Sequence, residues 1–169
     1  MITKKDILFG IIVISLGVSI GLSIGFYEVT SGSMEPEIEA GNTVFIFHST
    51  HDAFIDDSGS IIVFKDSLQS GPEKYILHRT VYYAEEGENW VEEVPDEYLL
   101  TQSCETESFC PAPYSGYITK GDANSYYDQS TSISPPVTKD SIIGVHVHTF
   151  EWSLPEWTQF SPQAQKPAR

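Results

Sequence analysis

Three kinds of side chain in this sequence could together form a hydrolytic site. Ser33 lies in the bend "SGSMEP", and a serine hydroxyl becomes a useful nucleophile only beside a general base. His78, in "YILHRTV", is the histidine whose apolar neighbours would best enclose and orient it. Asp122 and Asp128, in the turn "GDANSYYD", could orient that imidazole. These residue types favour acyl transfer, but their spacing alone is a weak signal, and a plain linker is the competing interpretation of the bend.

The order of three motifs resembles a known family. "SGSMEP", "ILHRTV" and "KGDANSYYD" follow one another behind an N-terminal apolar run, as in type I signal peptidases of the archaeal and endoplasmic-reticulum branch. The resemblance covers roughly residues 27–128, and "SIIG" from Ser141 resembles a further shared strand. It implies a membrane-bound serine endopeptidase that removes signal peptides from exported preproteins and needs neither a cofactor nor a metal.

The resemblance also implies roles for the first two motifs. Ser33 matches the nucleophile, and Ser31 matches the position whose hydroxyl helps to stabilise the oxyanion. His78 matches the general base, which is a lysine in the bacterial members. The structural alternatives are a turn-stabilising hydroxyl at Ser31 and a packed core histidine at position 78.

The third motif departs from the family pattern. In the family resembled here, the last acid of that motif orients the histidine, which implies that Asp128 is the acid of the triad and Asp122 a supporting carboxylate. However, Ala123 stands where an asparagine is common, and Tyr127 replaces the first acid of the closing pair. The division of roles between the two aspartates therefore stays open, and turn capping is the structural alternative for each.

A substrate site is predicted beside these residues. The family resembled here reads small residues at the first and third positions before the cut, from an extended substrate that lies along strand edges. Val29, Met34 and Leu77 flank the predicted site and are candidates for shallow apolar pocket walls. Ordinary core packing is the alternative for all three.

Residues 7–27 contain no charged side chain, and about 21 helical residues would span the roughly 30 Å of bilayer hydrocarbon. Lys4 and Lys5 precede this run, whereas Lys65 is the first basic residue after it. The positive-inside rule then predicts a cytoplasmic N-terminus, residues 1–6, and one transmembrane helix. A cleavable signal peptide, with small residues near position 25, is the alternative.

An extracytoplasmic catalytic domain, residues 28–150, follows from this topology. Its expected partners are preproteins that carry signal peptides, the lipid bilayer and, as a further candidate, the protein-export channel. The net charge of −15, from 24 acidic and 9 basic side chains, argues against nucleic acid as a partner. The scattered acids suit high ionic strength, as in a halophilic archaeal protein, or are an ordinary acidic surface.

The predicted domain is mainly β. Five short stretches rich in β-branched and aromatic residues predict strands, and Gly144 predicts a bulge or a close backbone approach in the last of them. These stretches are "NTVFIFHST", "SIIVFKD", "KYILHRTVYYA", "SGYITKGD" and "DSIIGVHVHTF". The fold class expected is thus one N-terminal transmembrane helix followed by a compact β-domain of the signal peptidase type.

Two segments lie outside this strand pattern. Residues 85–114 are acidic and are interpreted as an inserted loop rather than a core element. Within this segment, a disulfide between Cys104 and Cys110 is predicted to close the short loop "CETESFC", because an outer membrane face is oxidising, and two unpaired thiols are the alternative. Residues 151–169 form a C-terminal tail, expected to be disordered, with interfacial contacts by its aromatic side chains as the alternative.

Other functions stay open at this stage. The histidines of "HVH", His146 and His148, would share a strand face, but nothing nearby completes a metal site. A related peptidase with a narrow substrate set would have the same motifs. A catalytically silent, membrane-anchored β-domain that binds partners through its acidic insertion would require either that Ser33 and His78 lie apart or that Ser33→Ala leaves preprotein maturation intact.

Overall fold

The computed structural model of the chain describes residues 23–48, 55–66, 68 and 74–151. Six strands occur within these ranges, and all are paired antiparallel in one sheet of order β1-β2-β6-β3-β4-β5. The strands are β1 (Ser23–Glu28), β2 (Thr43–His48), β3 (Ile61–Lys65), β4 (Tyr75–Ala84), β5 (Gly116–Lys120) and β6 (Ile142–Phe150). Short 3-10 helices occupy Trp90–Glu93, Asp96–Tyr98 and Lys139–Ser141. The prediction of a mainly β domain is confirmed.

The five predicted strands all form, because β-branched and aromatic residues fit the pleated, half-buried surface of a sheet. The irregularity expected at Gly144 is also present. The register between β3 and β6 shifts beside this glycine, and a Cβ atom there would collide with the carbonyl oxygen of Phe47 on β2. Gly144 therefore allows the backbones of β6 and β2 to approach closely.

Strand β1 corrects the predicted end of the transmembrane helix. The helix was expected to continue to Tyr27, but Ser23–Glu28 is a strand that pairs with β2 along its whole length. Ile24, Phe26 and Tyr27 favour strands, Gly25 is a poor helix former, and a short apolar run does not distinguish a strand from a helix. Residues 1–22 lie outside the described residues. In the part of the chain that is described, no helix is long and apolar enough to cross a membrane.

The sheet curls around an apolar cluster on one of its faces. Val44 and Ile46 of β2 meet Ile61 and Val63 of β3 there, together with residues of the bend that follows β1. The ring of Tyr27 on β1 lies 6.1 Å from that of Tyr75 on β4, although three strands separate β1 from β4 in the sheet. This curvature brings the segment after β1 close to β4.

A second cluster fills the opposite face and links the two middle strands to the strand at the edge. Ile62 and Phe64 of β3, Ile76 of β4 and Val145 of β6 pack with Tyr117 of β5. The backbone of Tyr117 also exchanges hydrogen bonds with Val137, at 2.9 and 2.8 Å, which covers part of the outer edge of β5. Strand β4 is therefore packed on both faces, and its side chains have fixed positions.

The acidic insertion, residues 85–114, is a packed element, and the prediction that it lies outside the core was wrong. Trp90 is fully buried, and Val91, Val94, Leu99 and Ala112 pack with it against Ala84, Ile118 and Tyr127. The apolar side chains of the segment are separated by acidic residues, so no apolar stretch in the sequence indicates that the segment is packed. The predicted disulfide between Cys104 and Cys110 is confirmed, and Cys110 packs against this cluster.

Candidate active site

The bend after β1 holds Ser33 in place from two sides. The neighbouring side chains of Met34 and Ile38 are fully buried in the cluster inside the curled sheet, and the amide of Ile38 donates to the carbonyl of Met34 at 2.9 Å. The carbonyl oxygen of Ser33 accepts a hydrogen bond from the amide of Ala123 at 2.9 Å. The bend is therefore part of the folded domain and is not a linker.

His78 comes from the middle of β4, where it pairs with Ile62 of β3, and only 5% of its surface is exposed. Its Nε2 atom lies 3.1 Å from the hydroxyl oxygen of Ser33. This distance is within the range in which a histidine can accept the proton of a serine hydroxyl. The two residues are 45 positions apart in sequence, and the curl of the sheet brings them together.

Asp128 lies on the other side of the imidazole. Its Oδ2 atom is 2.6 Å from Nδ1 of His78, and the same oxygen accepts a hydrogen bond of 2.7 Å from the hydroxyl of Thr119. An ionised carboxylate only accepts hydrogen bonds, so this contact favours the tautomer in which Nδ1 carries the proton and Nε2 can accept the proton of Ser33. Asp128 is fully buried, and its backbone amide donates to Thr119 of β5 at 2.9 Å.

Asp122 binds Arg79 instead. The guanidinium group donates from Nε at 2.9 Å and from the second terminal nitrogen at 2.7 Å, one bond to each carboxylate oxygen. The hydrogen bond to Asp122 raises the pKa of Arg79, as does the negative charge of that carboxylate. Consecutive residues of a strand point to opposite faces, which agrees with the different acids that His78 and Arg79 contact. The two aspartates divide between these two neighbours.

The hydroxyl oxygen of Ser31 lies 3.3 Å from that of Ser33. Ser31 is exposed and sits at the entrance of the bend. A hydroxyl at this distance could donate to an oxygen atom that develops beside the nucleophile. The role predicted for Ser31 thus agrees with its position, and it stays a prediction.

The three predicted pocket residues pack with the apolar cluster inside the curled sheet. Met34 is 1% exposed and Val29 is 8% exposed, so both belong to the core and offer little surface to a substrate. Leu77 is half-buried and packs at the margin of the same cluster. Of the three, Leu77 has the most surface with which to contact a bound peptide.

Two residues near the imidazole were not assigned a role from the sequence. Thr119 donates to Asp128, and no sequence signal separates it from an ordinary strand threonine. A Cβ atom on Gly121 would lie 2.8 Å from Nε2 of His78 and 2.7 Å from the carbonyl oxygen of Ser33. Gly121 was considered only as a turn former, although it directly precedes Asp122 in the third motif.

The histidines of "HVH" contact residues of their own strand. The Nε2 atom of His146 is 2.9 Å from the hydroxyl of Thr149, and burial lowers the pKa of His146. The ring of His148 packs edge-on against Phe150, 4.8 Å between centroids. Among the described residues, no three histidine, cysteine or acidic side chains are grouped in a way that could hold a metal ion.

Ser33, His78 and Asp128 thus form a continuous hydrogen-bonded chain from an alcohol through an imidazole to a buried carboxylate. Such an arrangement can raise the nucleophilicity of the alcohol and stabilise the imidazolium that forms when the alcohol gives up its proton.

Comparison with known proteins does not identify a family for the chain. A scan against protein-family models finds no match, and a search of curated proteins finds no matching relative.

Proposed function

We propose that this protein is a membrane-bound serine endopeptidase that removes signal peptides from exported preproteins. One observation carries the proposal: the hydroxyl of Ser33, the imidazole of His78 and the carboxylate of Asp128 are joined by contacts of 3.1 and 2.6 Å. The order of the three motifs, with its resemblance to signal peptidases, supports the choice of substrate. The contact between the serine and the histidine disfavours a silent binding domain, for which the remaining condition is that Ser33→Ala leaves preprotein maturation intact.

In the proposed reaction, His78 accepts the hydroxyl proton while Ser33 Oγ attacks the carbonyl carbon of the scissile peptide bond. The bond to the leaving amine breaks as the imidazolium returns that proton to the amine nitrogen. Water then attacks the acyl-enzyme, again with His78 as the base, and releases the carboxylate of the signal peptide. Asp128 stays ionised and holds the imidazole in the tautomer that each step needs.

Ser31 and the backbone amide of Ser33 are the expected donors to the oxyanion. In such sites, loss of one donor lowers kcat by about 10² to 10³. A protonated imidazole cannot accept the serine proton, so the activity is expected to fall as the medium is acidified. Full activity in strong acid would contradict a histidine base.

The N-terminal apolar run is the basis of the proposed cellular location. Because β1 begins at Ser23, the remaining run of residues 7–22 would make a helix of about 24 Å, shorter than the roughly 30 Å of bilayer hydrocarbon. Residues 7–22 precede β1, and Ser33 follows residue 22 by 11 positions, an extended reach of roughly 35 to 40 Å. The proposed catalytic domain would therefore remain close to the outer face of the membrane, where signal peptides present their cleavage sites. The lipid bilayer and the export channel are proposed partners on the same argument.

The test uses the full chain, solubilised in detergent at high salt, with a preprotein substrate and its signal-peptide-deleted form. The wild type should shorten the preprotein and leave the deleted form intact, and Ser33→Ala should abolish cleavage. Ser58→Ala, at an exposed serine in the turn before β3, is the matched control and should retain full activity. Cleavage that persists in Ser33→Ala would refute the proposal. A panel of preproteins distinguishes a general signal peptidase from a relative with a narrow substrate set.

A further inference from the structure

Tyr127, the residue before Asp128, is anchored in the acidic insertion. Its side chain is fully buried, and its hydroxyl donates to the carbonyl of Pro95 at 3.1 Å. Its amide donates to the carbonyl of Tyr98 at 3.0 Å. Its ring lies edge-on to those of Tyr98 and Trp90, with centroids 5.8 and 6.3 Å away. The backbone that carries Asp128 is thus fixed from the side of the insertion.

Lys120 makes a second connection to the same insertion. Its ammonium group lies 4.4 Å from the centre of the Tyr98 ring, a cation–π contact. The same group donates to the carbonyls of Gly121 and Asp122, at 3.0 and 3.2 Å. Tyr98 therefore contacts both ends of the turn of residues 120–128, through Lys120 at its start and Tyr127 near its end.

The insertion has internal contacts that make it a firm support. The indole nitrogen of the buried Trp90 donates to the carbonyl of Phe109 at 2.9 Å, inside the loop closed by the disulfide. At the base of the insertion, the amide of Gly87 donates to Ala112 at 2.8 Å. The phenol of Tyr82 on β4 donates to Glu88 at 2.5 Å, and this bond raises the pKa of Tyr82 to about 12.

We infer that the insertion of residues 85–114 positions Asp128 against His78, with Tyr98 and Tyr127 as the positioning residues. The inference rests on the proposed peptidase function and deepens it. Neither tyrosine is assigned a contact with the substrate, so each acts through the turn. An error of about 1 Å in the placement of a catalytic group can lower a rate about 100-fold, which sets the upper limit for the effect.

Tyr98→Leu removes the ring beneath Lys120 and beside Tyr127, and we expect it to lower kcat about 10- to 30-fold. Tyr127→Phe keeps the ring and removes only the hydrogen bond to Pro95, so the expected loss is about threefold to tenfold. KM should change less than twofold in both variants, because the substrate contacts are retained.

Tyr83→Leu is a matched control. Tyr83 also has a lysine over its ring, Lys139 at 5.5 Å, and a tyrosine beside it, Tyr117 at 4.9 Å. Both rings pack with the second cluster, which includes Ile62 and Ile76, and not with the cluster that holds Trp90 and Tyr127. We expect Tyr83→Leu to keep the wild-type kcat, even if its melting temperature falls as much as that of Tyr98→Leu.

Two further measurements separate positioning from general stability. In an Asp128→Ala background, Tyr98→Leu should leave the residual rate unchanged, because the residue that it positions is already absent. In the low-field proton NMR spectrum, the resonance of the hydrogen-bonded Nδ1 proton of His78 should weaken or shift in Tyr98→Leu and stay unchanged in Tyr83→Leu. This signal does not depend on cleavage.

The outcomes distinguish the two proposals. A wild type that cleaves no preprotein, with the imidazole signal still lost only in Tyr98→Leu, would refute the peptidase and retain the positioning role. Equal losses of kcat in Tyr98→Leu and Tyr83→Leu would overturn the positioning role. So would a further loss when Tyr98→Leu is added to Asp128→Ala, or an imidazole signal that all variants share.

Discussion

The two aspartates of the third motif are expected to differ sharply when each is replaced by asparagine. Asp128 is fully buried, and its Oδ2 atom accepts the hydrogen bond from Nδ1 of His78 at 2.6 Å. An asparagine there can turn its NH₂ group toward Nδ1, which moves the imidazole proton to Nε2 and removes the acceptor for the Ser33 proton. A triad that loses its acid in this way slows by about 10³ to 10⁴, or about 4 to 5.5 kcal/mol in activation free energy.

Asp122→Asn should have a much smaller effect. Asp122 contacts Arg79 rather than the imidazole, and the side chains of this pair are 33% exposed for Arg79 and 20% exposed for Asp122. Water can replace part of the lost interaction, and the asparagine oxygen can still accept one of the two hydrogen bonds from Arg79. We expect kcat to fall less than tenfold.

The assay is single-turnover cleavage of a preprotein by each full-length variant at high salt, with unfolding followed by circular dichroism. Both variants should unfold cooperatively, so that a loss of rate is not a loss of fold. Equal rates for the two variants, or a greater loss for Asp122→Asn, would show that the division of the aspartates between His78 and Arg79 is not the one that operates in catalysis.

Three other perturbations test the surrounding structure. Gly121→Ala should lower kcat about 10- to 100-fold with the fold retained, because its Cβ atom would lie 2.8 Å from Nε2 of His78 and must displace that ring; wild-type kinetics would contradict this packing. Replacing Cys104 and Cys110 by serine should lower the free energy of unfolding by about 2 kcal/mol and Tm by roughly 4 to 8 °C, because the disulfide closes a short loop. An unchanged Tm would show that the disulfide adds no stability. Burial lowers the pKa of His146, so the contribution of this residue to stability is present above about pH 6.5 and is lost as the pH falls through the lowered pKa. His146→Gln should therefore reduce the fall in Tm between pH 7 and pH 5. An identical fall in both proteins would refute a lowered pKa for His146.

The strands could be predicted from the sequence because their residues have a local preference for extended structure. Strand β1 could not be separated from the apolar run before it, because Ile24 and Phe26 suit a strand and a membrane helix equally well. Residues 23–28 form a strand because they pair with β2, and this pairing joins residues that are distant in sequence. The burial of Trp90 could not be predicted for a similar reason, since Glu88 and Glu92 lie two residues away on either side in sequence, whereas apolar side chains surround it in space.

The site was predictable as a set of residues but not as an arrangement. The motifs indicate Ser33 and His78, and the structure places them 3.1 Å apart. The choice between Asp122 and Asp128 depends on the directions of two adjacent side chains on β4, and alternation along a strand could have indicated that they differ. Which acid meets which side chain depends on the path of the turn after β5, and no local pattern encodes that path.

The pairing of β1 with β2 has a consequence for how an anchored enzyme would measure its substrates. All six residues of β1 are aligned with partners on β2, so Ser23–Glu28 has a fixed position in the sheet, and Ser33 follows Glu28 by five residues. With an anchor formed by residues 7–22, the distance of Ser33 from the membrane surface would be set by strand β1 and the bend after it. Such an enzyme would select cleavage sites by their distance from the membrane. A preprotein whose cleavage site lay a few residues nearer to or farther from the membrane would be processed slowly, regardless of its side chains.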